Sequence, residues 1–456
     1  MKMNENPDVA FARLRRAFSL DAVPPSAARI VRLEALGKAI DAKRKAIADA
    51  VSADFGYRSE METMTAEVGF TLQGISHLSR RLPGWAKPRN ALVLRPMPGR
   101  TAIWREPKGV VGVLSPWNYP VQLALLPLAT AIAAGNRVLL KPSERTPATS
   151  DLLAQLIAEV FPEDEASVVI GDAKVAAAVS ALPFDHLFFT GSTQTGRKVA
   201  LAAAANLTPV TLELGGKSPC IMMPGADPAI HAPLAGWGKW FSAGQTCVAP
   251  DYMLVPRGRA QIWADAMLDV ARSFLKGGGR DYTALIDADH GDKLAAMLGQ
   301  GGTVLRAETD LPGRMAPTVV IGPPMDGALM RDEIFGPILP ILEYDSLDDV
   351  VRLVNTQDPP LALYAFDRDA GAARALVARI RSGGAAINGT ILHLAAHDLP
   401  FGGIGTSGMG AYHGDRGLAE FTHERSVLTV AQGRWTRTLV PPYSPMVRRL
   451  IGWMNR

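Results

Sequence analysis

The chain has 456 residues, of which 48% are hydrophobic and 20% are charged, a composition that supplies a large buried core. It excludes a disordered chain, and the presence of only two cysteines, Cys220 and Cys247, argues against a disulfide-held fold. The formal net charge is +4, but residues 434–456 contain five arginines and no acidic residue. The rest of the chain is nearly balanced in charge, so we expect no nucleic-acid partner.

The first part of the chain is predicted to be helical. Apolar residues recur at helical spacing over 27–52 and 61–82, which indicates amphipathic helices. Residues 92–104 then predict a hairpin of two short strands around a Pro/Gly turn. The N-terminus lacks the apolar core of a signal peptide, and the longest apolar run, 121–135, is shorter than a membrane span. We therefore expect a cytoplasmic protein.

Five apolar runs alternate with helical patterns in the next part, which predicts a parallel sheet with helices on both faces. They occupy 109–114, 137–141, 167–170, 186–190 and 209–214. Polar, charged and glycine residues follow each run, where the ligands of such sheets bind. Gly191, Ser192 and Gly196 open a helix whose N-terminal amides can face a phosphate. The sequence therefore predicts a nucleotide site, although a single loop of this kind would be ordinary loop chemistry.

The two cysteines differ in their surroundings. Cys220 lies in an apolar run and is expected to be a buried structural thiol. Cys247 lies between a helical pattern and the predicted strand 252–255, among small residues. Such a junction gives a thiol access and backbone N–H donors, as a nucleophile requires, but a cysteine of this kind is by itself more often structural than catalytic.

Seven segments give the chain a family resemblance. They are PWNYP at 116–120, KPSE at 141–144, FTGS at 189–192, ELGGKSP at 213–219, GQTC at 244–247, EIFGP at 333–337 and PFGG at 400–403. In this order they resemble the motif set of the aldehyde dehydrogenase superfamily. The chain length and hairpin look like its class 3, dimeric branch. DFGYRS at 54–59 and SGMGAYHG at 407–414 are similar to the coniferyl aldehyde dehydrogenase subgroup, although Thr406 stands where that subgroup has proline.

The resemblance implies an α/β fold with three parts. A Rossmann-type domain with a five-stranded parallel sheet would bind NAD, a second α/β domain would carry the catalytic cysteine, and a small β element would bridge subunits. The implied bounds are 1–88 and 107–213 with 388–422 returning for the NAD-binding domain, 214–387 for the catalytic domain, 89–106 and 423–433 for the bridging element, and 434–456 for a basic amphipathic tail.

The resemblance also implies the mechanism. The Cys247 thiolate would attack the aldehyde, and the Asn118 side-chain amide and the Cys247 backbone N–H would stabilise the oxyanion. Hydride loss would leave a thioester. Glu213 would then act as the general base for its hydrolysis, which needs a carboxylate that is ionised near neutral pH.

The cofactor residues follow from the same resemblance. Lys141 and Glu144 would hold the adenosine ribose, Ser192 and neighbouring amides would face the pyrophosphate, and Glu333 would bind the nicotinamide ribose beside Phe335. A carboxylate at Glu144 would repel a 2′-phosphate, so NAD is the favoured cofactor and NADP remains an alternative. No metal is predicted, because His393 and His397 have helical ligand spacing without a third ligand. The other residues expected at the cofactor are Ser115, Trp117, Ser143, Thr190, Gly191, Gly196 and Leu214.

The expected function is NAD(P)-dependent oxidation of a small-molecule aldehyde, either aromatic, such as coniferyl aldehyde, or long-chain and apolar, by a homodimer. A coenzyme A-acylating dehydrogenase, a Cys-dependent hydrolase without a nucleotide, and a non-enzymatic relative remain alternatives. The tail could form a helix on an anionic membrane surface. We favour a helix that packs on its own chain or on a dimer partner.

Overall fold

The computed structural model describes residues 5–20, 23–90, 99–433, 438 and 440–455. Its strands, in chain order, are β1 (Arg89–Asn90), β2 (Gly99–Pro107), β3 (Val110–Leu114), β4 (Arg137–Lys141), β5 (Ala166–Val168), β6 (His186–Thr190), β7 (Val210–Glu213), β8 (Pro219–Met222), β9 (Tyr252–Pro256), β10 (Thr303–Arg306), β11 (Thr318–Ile321), β12 (Ile338–Tyr344), β13 (Ala362–Phe366), β14 (Gly384–Ile387), β15 (Gly408–Met409) and β16 (Thr422–Val430).

The α-helices, in chain order, are α1 (Pro7–Leu20), α2 (Ser26–Ala42), α3 (Arg44–Asp54), α4 (Glu60–Glu62), α5 (Phe70–Trp85), α6 (Gln122–Ala134), α7 (Pro147–Val160), α8 (Ala173–Ser180), α9 (Thr193–Ala204), α10 (Pro228–Trp240), α11 (Ala260–Gly279), α12 (Ala288–Leu298), α13 (Ala328–Arg331), α14 (Leu347–Asn355), α15 (Ala370–Val377), α16 (Gly414–Glu420) and α17 (Pro445–Met454). In the continuous range 99–433, 3₁₀ turns cover Phe241–Gly244, Leu392–Ala395 and Gly405–Ser407.

The helices near the N-terminus are more divided than the sequence predicts. The first predicted helix is two, α2 and α3, which separate at Lys43. The second consists of α4, a π-helix over Thr63–Gly69, and α5. A π-helix inserts an extra residue into the helical repeat, and such insertions recur at functional sites. Apolar periodicity alone does not reveal this change in hydrogen bonding.

The first large sheet has the strand order β15-β7-β6-β3-β4-β5. The predicted five parallel strands, β3 to β7, are present, and β15 adds a sixth strand antiparallel to β7. Side chains alternate between the two faces of the sheet: Val111 and Val113 pack in the core that contains α6, and Val110 and Leu114 pack in the core that contains α1. This double burial explains the uninterrupted apolar runs.

The strand order places a crevice between two particular loops. The chain runs from β3 outward to β4 and β5, then returns to place β6 on the other side of β3. The loops after β3 and β6 therefore leave the sheet in opposite directions, and this switch point is where open α/β sheets bind ligands.

A second sheet has the order β10-β11-β12-β9-β8-β13-β14 and is parallel except at β10. Cys220 lies on β8 and is completely buried, which confirms that it is a buried thiol. Cys247 lies between α10 and β9, after the 3₁₀ turn Phe241–Gly244, at the predicted junction of helix and strand.

A third, three-stranded antiparallel sheet has the order β1-β2-β16. β2 and β16 pair along nine residues, from Gly99 with Val430 to Pro107 with Thr422. β1 pairs with β2 in antiparallel orientation, with Arg89 opposite Ile103. The second strand of the hairpin predicted over 92–104 lies in β2, and residues 91–98, which would hold its first strand and its turn, lie outside the described residues.

The tail forms the predicted helix, α17, but leaves its apolar side chains uncovered. Met446 and Trp453 are 78% and 74% exposed. The prediction that this helix packs on its own chain is therefore wrong. Its contact with a second subunit stays a prediction. Within the described ranges, no helix combines the length and the apolar character that crossing a bilayer requires.

Candidate active site

The loop that presents Cys247 has an unusual backbone. Ser242, Ala243 and Gly244 have φ angles of 52°, 50° and 73°. Side chains rarely adopt this left-handed region, and each such residue costs about 1–3 kcal/mol. Glycine is required at Gly244, because a Cβ atom there would overlap the carbonyl oxygen of Gly336. The loop is therefore held in a conformation that its surroundings must enforce.

Gln245 ties this loop to its surroundings. Its side-chain amide donates to the carbonyl oxygens of Ser242 at 3.1 Å and Ala284 at 3.0 Å, and accepts from the Ile286 N–H at 3.0 Å. Its own carbonyl oxygen accepts a hydrogen bond from Asn118 Nδ2 at 3.1 Å. Asn118 is thereby brought to the backbone two residues before Cys247, and it keeps a second amide hydrogen for another acceptor.

Cys247 is partly buried and opens on a cavity of about 220 Å³. Burial, together with the carboxylates of Glu333 and Glu213, raises the pKa of its thiol to about 12. The thiol is therefore neutral at physiological pH. The two carboxylates that act on it are both among the predicted site residues.

The wall of this cavity is apolar and rich in aromatic rings. His413 contributes a polar group to it; this residue is 5% exposed, and burial lowers the pKa of its imidazole to about 3. Neither ring nitrogen of His413 has a hydrogen-bond partner among the residues that the structure describes. The aromatic residues of the wall are Phe70, Tyr119, Trp237, Phe241, Phe401 and Tyr412.

Glu213 is the last residue of β7 and is 3% exposed. In the described part of the chain, neither of its carboxyl oxygens has a hydrogen-bond partner. Burial raises the pKa of this carboxyl well above its ordinary value, and the carboxylate of Glu420 raises it further. The role expected of Glu213 needs a carboxylate that is ionised near neutral pH, whereas this environment favours the protonated form.

Glu333 meets the chain immediately after Glu213. Its Oε1 accepts the backbone N–H of Gly216 at 3.1 Å, and a Cβ atom on Gly215 would overlap its carboxylate. Burial raises the pKa of Glu333 to about 7. Glu333 also lines a cavity of about 530 Å³ together with Thr193 and Lys217, so this carboxylate borders the sheet edge where the sequence predicts the nucleotide.

Aromatic and cationic groups gather beside Glu333. The ring of Trp117 lies edge-on to that of Phe335 with 5.4 Å between centroids. The guanidinium of Arg145, a residue that the sequence analysis did not single out, lies 4.6 Å from the Trp117 ring centroid. Phe335 has a φ of 55°, a strained value of the kind that often accompanies function, and its carbonyl oxygen contacts His290 Nε2 at 2.8 Å.

The residues at the switch point fit a nucleotide. Ser115 follows β3 and Thr190 ends β6, and the hydroxyl oxygens of both are buried without a hydrogen-bond partner in the described ranges. Buried polar atoms are normally paired, so these two are available to a ligand in the crevice. Ser192 caps α9 by accepting the N–H of Thr195 at 3.3 Å, and this helix start can face a phosphate.

Close packing surrounds the neighbouring glycines. A Cβ atom on Gly191 would overlap the Phe189 ring, and one on Gly196 would press on Leu214. The predicted residues Gly191, Gly196 and Leu214 therefore bring β6, α9 and β7 together. This contact is structural, and it fixes where the amides of α9 point.

The residues predicted to hold the adenosine ribose lie at the end of β4, the strand next to β3 in the sheet. Lys141 ends β4 with a side chain that is 3% exposed, and its Nζ pairs with the carboxylate of Glu144, which is 43% exposed. Ser143 turns the chain by accepting the Arg145 N–H at 3.3 Å. None of these three residues lines either cavity. In the described residues, no cluster of three or more histidine, cysteine or acidic side chains is arranged to hold a metal ion.

The sequence and the fold have known relatives. The profile of the aldehyde dehydrogenase family matches residues 3–427. A probable coniferyl aldehyde dehydrogenase of Pseudomonas aeruginosa is 41% identical over 452 residues, which span 97% of this chain and 95% of that protein.

Solved structures agree with this match. The substrate-bound state of Staphylococcus aureus AldH is 35% identical, with a TM-score of 0.94 and 100% of both chains covered. Mycobacterium tuberculosis aldehyde dehydrogenase complexed with NAD⁺ is 28% identical, with a TM-score of 0.84, and the match covers 93% of this chain and 90% of that one. The chain therefore belongs to the aldehyde dehydrogenase family and is an NAD(P)-dependent aldehyde dehydrogenase.

Proposed function

We propose that Cys247 is the nucleophile of aldehyde oxidation. Its thiol opens on the aromatic cavity, and the carboxylate of Glu333, one of the two that raise the thiol pKa, is the group available to receive its proton. The sulfur attacks the aldehyde carbonyl carbon, and the carbonyl oxygen becomes the oxyanion of a thiohemiacetal. The position of this thiol in the lining of the cavity is the observation that supports the proposal most strongly.

Asn118 stabilises the oxyanion. One hydrogen of its side-chain amide is used by the Gln245 carbonyl, and the second, with the backbone N–H of Cys247, is donated to the oxyanion. Each donor of this kind contributes about 3 kcal/mol to catalysis. Both are neutral, so the oxyanion can collapse again to a carbonyl. NAD held at the edge of the first sheet would supply the hydride acceptor, and loss of the hydride leaves a thioester on Cys247.

Glu213 activates the water that hydrolyses this thioester. The carboxylate takes one proton from the water, and the hydroxide adds to the thioester carbonyl. The carbon–sulfur bond then breaks to give the carboxylic acid and the Cys247 thiolate, and Glu213 returns its proton to this sulfur to restore the thiol. Burial favours the protonated form of Glu213, so only the fraction that is ionised works as the base. Hydrolysis should therefore limit turnover at low pH.

The cofactor is held along the edge of the first sheet. Ser115, Thr190 and Ser192 face the crevice at the switch point, Glu333 binds the nicotinamide ribose, and Lys141 with Glu144 binds the adenosine ribose. The buried, unpartnered hydroxyls of Ser115 and Thr190 within the described chain support this placement. The carboxylate of Glu144 favours NAD over NADP, because it would repel a 2′-phosphate.

We propose an aromatic aldehyde of the coniferyl type as the preferred substrate. Six aromatic rings surround the space in front of Cys247, which suits a planar ring. The neutral imidazole of His413, whose nitrogens are unpartnered in the described residues, can pair with a ring oxygen of the substrate. The 41% identical P. aeruginosa relative bears the name of this substrate.

The direct test measures the carboxylic acid product by chromatography after incubation with NAD and either coniferyl aldehyde or hexanal. We expect acid formation that is lost in Cys247→Ala and faster with coniferyl aldehyde. Acid formation that survives Cys247→Ala would contradict the mechanism. A product that forms only with added coenzyme A, as an acyl thioester, would identify an acylating enzyme.

We propose a homodimer formed through β16. This strand lies at the edge of the three-stranded sheet, and Leu428 and Val430 on it are 47% and 43% exposed. An exposed apolar edge strand is a template for pairing with another chain. Sedimentation velocity should give a dimer for the native chain and a monomer for Leu428→Lys, while Val31→Lys, at an exposed position of α2, stays dimeric. A monomeric native chain would contradict the proposal.

We also propose that the implied domain bounds follow the sheets. The strands that flank the NAD crevice end at Glu213, those of the catalytic sheet end with β14 at Ile387, and β15 returns to β7. These positions support bounds of 1–88, 107–213 and 388–422 for the NAD-binding domain, 214–387 for the catalytic domain, and 89–106 with 423–433 for the bridging element.

A further inference from the structure

Three buried charged side chains lie behind the catalytic loops. Arg58, Glu62 and Glu67 are 2%, 4% and 0% exposed. Arg58 lies just before α4, Glu62 ends α4, and Glu67 lies in the π-helix Thr63–Gly69. Removing charges from water is costly unless they are well paired. The sequence analysis assigned no role to this cluster, and no step of the mechanism uses it.

Two members of the cluster hold the loop that carries Asn118. Arg58 Nη1 donates to the backbone carbonyl oxygen of Asn118 at 2.5 Å, and its guanidinium lies 4.8 Å from the ring centroid of Tyr119. Glu67 Oε2 accepts the backbone N–H groups of Val121 at 2.9 Å and Gln122 at 2.8 Å. The backbone is thus fixed at Asn118 and again three residues later, where α6 begins.

The third member holds the loop that carries Cys247. Glu62 Oε1 accepts the backbone N–H of Ser242 at 2.8 Å, and its Oε2 accepts the hydroxyl of Thr283. Ser242 is the first of the three left-handed residues before Cys247. Such backbone persists only where the surroundings enforce it, and Glu62 supplies a side-chain contact that does so.

Further contacts join the two loops to each other. The Tyr119 hydroxyl lies 2.6 Å from Thr246 Oγ1, next to Cys247, and Asn118 Nδ2 donates to Gln245 O. The loop of Asn118 and the loop of Cys247 are therefore bonded directly to each other. Both loops are also held by side chains of one short segment, residues 58–67.

We propose that Arg58, Glu62 and Glu67 form a positioning cluster that sets the Asn118 amide and the Cys247 thiol at their reactive separation. This inference rests on the roles proposed above for Asn118 and Cys247. None of the three side chains lines either cavity. The cluster acts through backbone groups, so the reach of each carboxylate matters more than its charge.

Paired substitutions separate reach from charge. Glu62→Asp keeps the charge but withdraws the carboxylate from Ser242, whereas Glu62→Gln keeps the reach and a carbonyl acceptor but loses the charge. Glu67→Asp and Glu67→Gln make the same comparison at the Asn118 loop. Glu165→Asp is the matched control, because Glu165 pairs with Arg32 at 3.0 Å beside β5, outside the site.

Three quantities are measured for each full-length variant at a pH well above 7, since burial raises the pKa values of Glu62 and Glu67 to about 7. They are the rate of the first-turnover NADH burst, the rate of iodoacetamide alkylation of Cys247, followed on its peptide by mass spectrometry, and the dissociation constant of NAD. The melting temperature is recorded beside them.

We expect Glu62→Asp to slow both the burst and the alkylation about tenfold, since small misplacements of reacting groups have such effects. Glu67→Asp should slow the burst but not the alkylation, which needs no oxyanion donor. Both Gln variants and Glu165→Asp should stay near native rates, with NAD binding unchanged throughout.

Native burst rates in both Asp variants, or Gln variants as slow as the Asp variants, would overturn the positioning role. A fall in melting temperature alone, with unchanged rates, would assign the cluster to stability only. Cys247→Ala is measured in parallel: a burst in that variant would refute the proposed function itself, whatever the cluster variants show.

Discussion

The backbone N–H of Gly216 donates a hydrogen bond to Glu333 Oε1 over 3.1 Å. Glu333 is the carboxylate proposed to bind the nicotinamide ribose. Through this bond it contacts the turn that follows Glu213, the proposed base. The two carboxylates come from β7 and from the segment before β12, and both act on the Cys247 thiol. In the proposed mechanism, hydride removal and hydrolysis are therefore both organised around one short turn.

Gly215→Ala tests this turn. The added methyl group would overlap the Glu333 carboxylate and push it away from the cofactor. We expect the NADH burst to slow about tenfold with a weaker affinity for NAD, measured by stopped flow and by titration. Gly84→Ala is the control, because nothing lies within 4 Å of its added Cβ. An unchanged burst in Gly215→Ala would show that Glu333 is not needed at this position.

Glu213→Gln tests the division between the two chemical steps. The amide cannot accept a proton from water, so thioester hydrolysis should slow by a factor of about 10² or more, while the NADH burst of the first turnover remains. Rapid-mixing kinetics measures both phases. Equal loss of the burst and of turnover would refute the role of Glu213 as the hydrolytic base.

The pH dependence of turnover follows from the same carboxyl. Burial raises the pKa of Glu213, and a general base works only when it is ionised. The steady-state rate should therefore increase with pH over a range above the ordinary pKa of glutamate. Glu213→Gln should lack this rise. A native rate that is already constant from mildly acidic pH upward would contradict it.

Glu144→Ala tests the choice of cofactor. Loss of the carboxylate that pairs with Lys141 removes the repulsion of a 2′-phosphate and frees the lysine to attract it. We expect the ratio of kcat/KM for NADP to that for NAD to rise about tenfold. Glu34→Ala, at an exposed position of α2, should leave this ratio unchanged. The same ratio in both variants would place the adenosine ribose elsewhere.

His413→Leu tests substrate recognition. The imidazole is neutral at physiological pH because burial lowers its pKa to about 3, and its proposed partner is a ring oxygen of coniferyl aldehyde. We expect kcat/KM for coniferyl aldehyde to fall about tenfold, with little change for cinnamaldehyde, which has no ring oxygen. Parallel losses for both aldehydes would indicate a change in cavity shape instead.

The sequence predicts the sheet edge better than it predicts the site behind it. The five buried strands leave apolar runs that end in polar residues, and Ser115, Thr190 and Glu213 could be placed at one edge by that pattern alone. Glu62 could not be placed, because 180 residues separate it from Ser242. Periodicity over 61–82 predicts a helix but not the π-helix that begins directly after Glu62 and contains Glu67.

The sequence also does not predict the protonation state or the backbone strain of the site residues. The motif that contains Glu213 identifies a carboxylate, but its raised pKa depends on burial and on Glu420, which follows it by more than two hundred positions in the chain. The strain at Ser242, Ala243 and Phe335 likewise arises from tertiary contacts. Local residue types do not specify such values.

The covalent intermediate gives the most direct test. Glu213→Gln is mixed with NAD and coniferyl aldehyde, quenched in acid, digested and analysed by mass spectrometry. The thioester mechanism predicts an acyl group on the peptide that contains Cys247, absent without NAD because the hydride then has no acceptor. An unmodified Cys247 peptide in a sample that has formed NADH, or an acyl group on another residue, would contradict the mechanism.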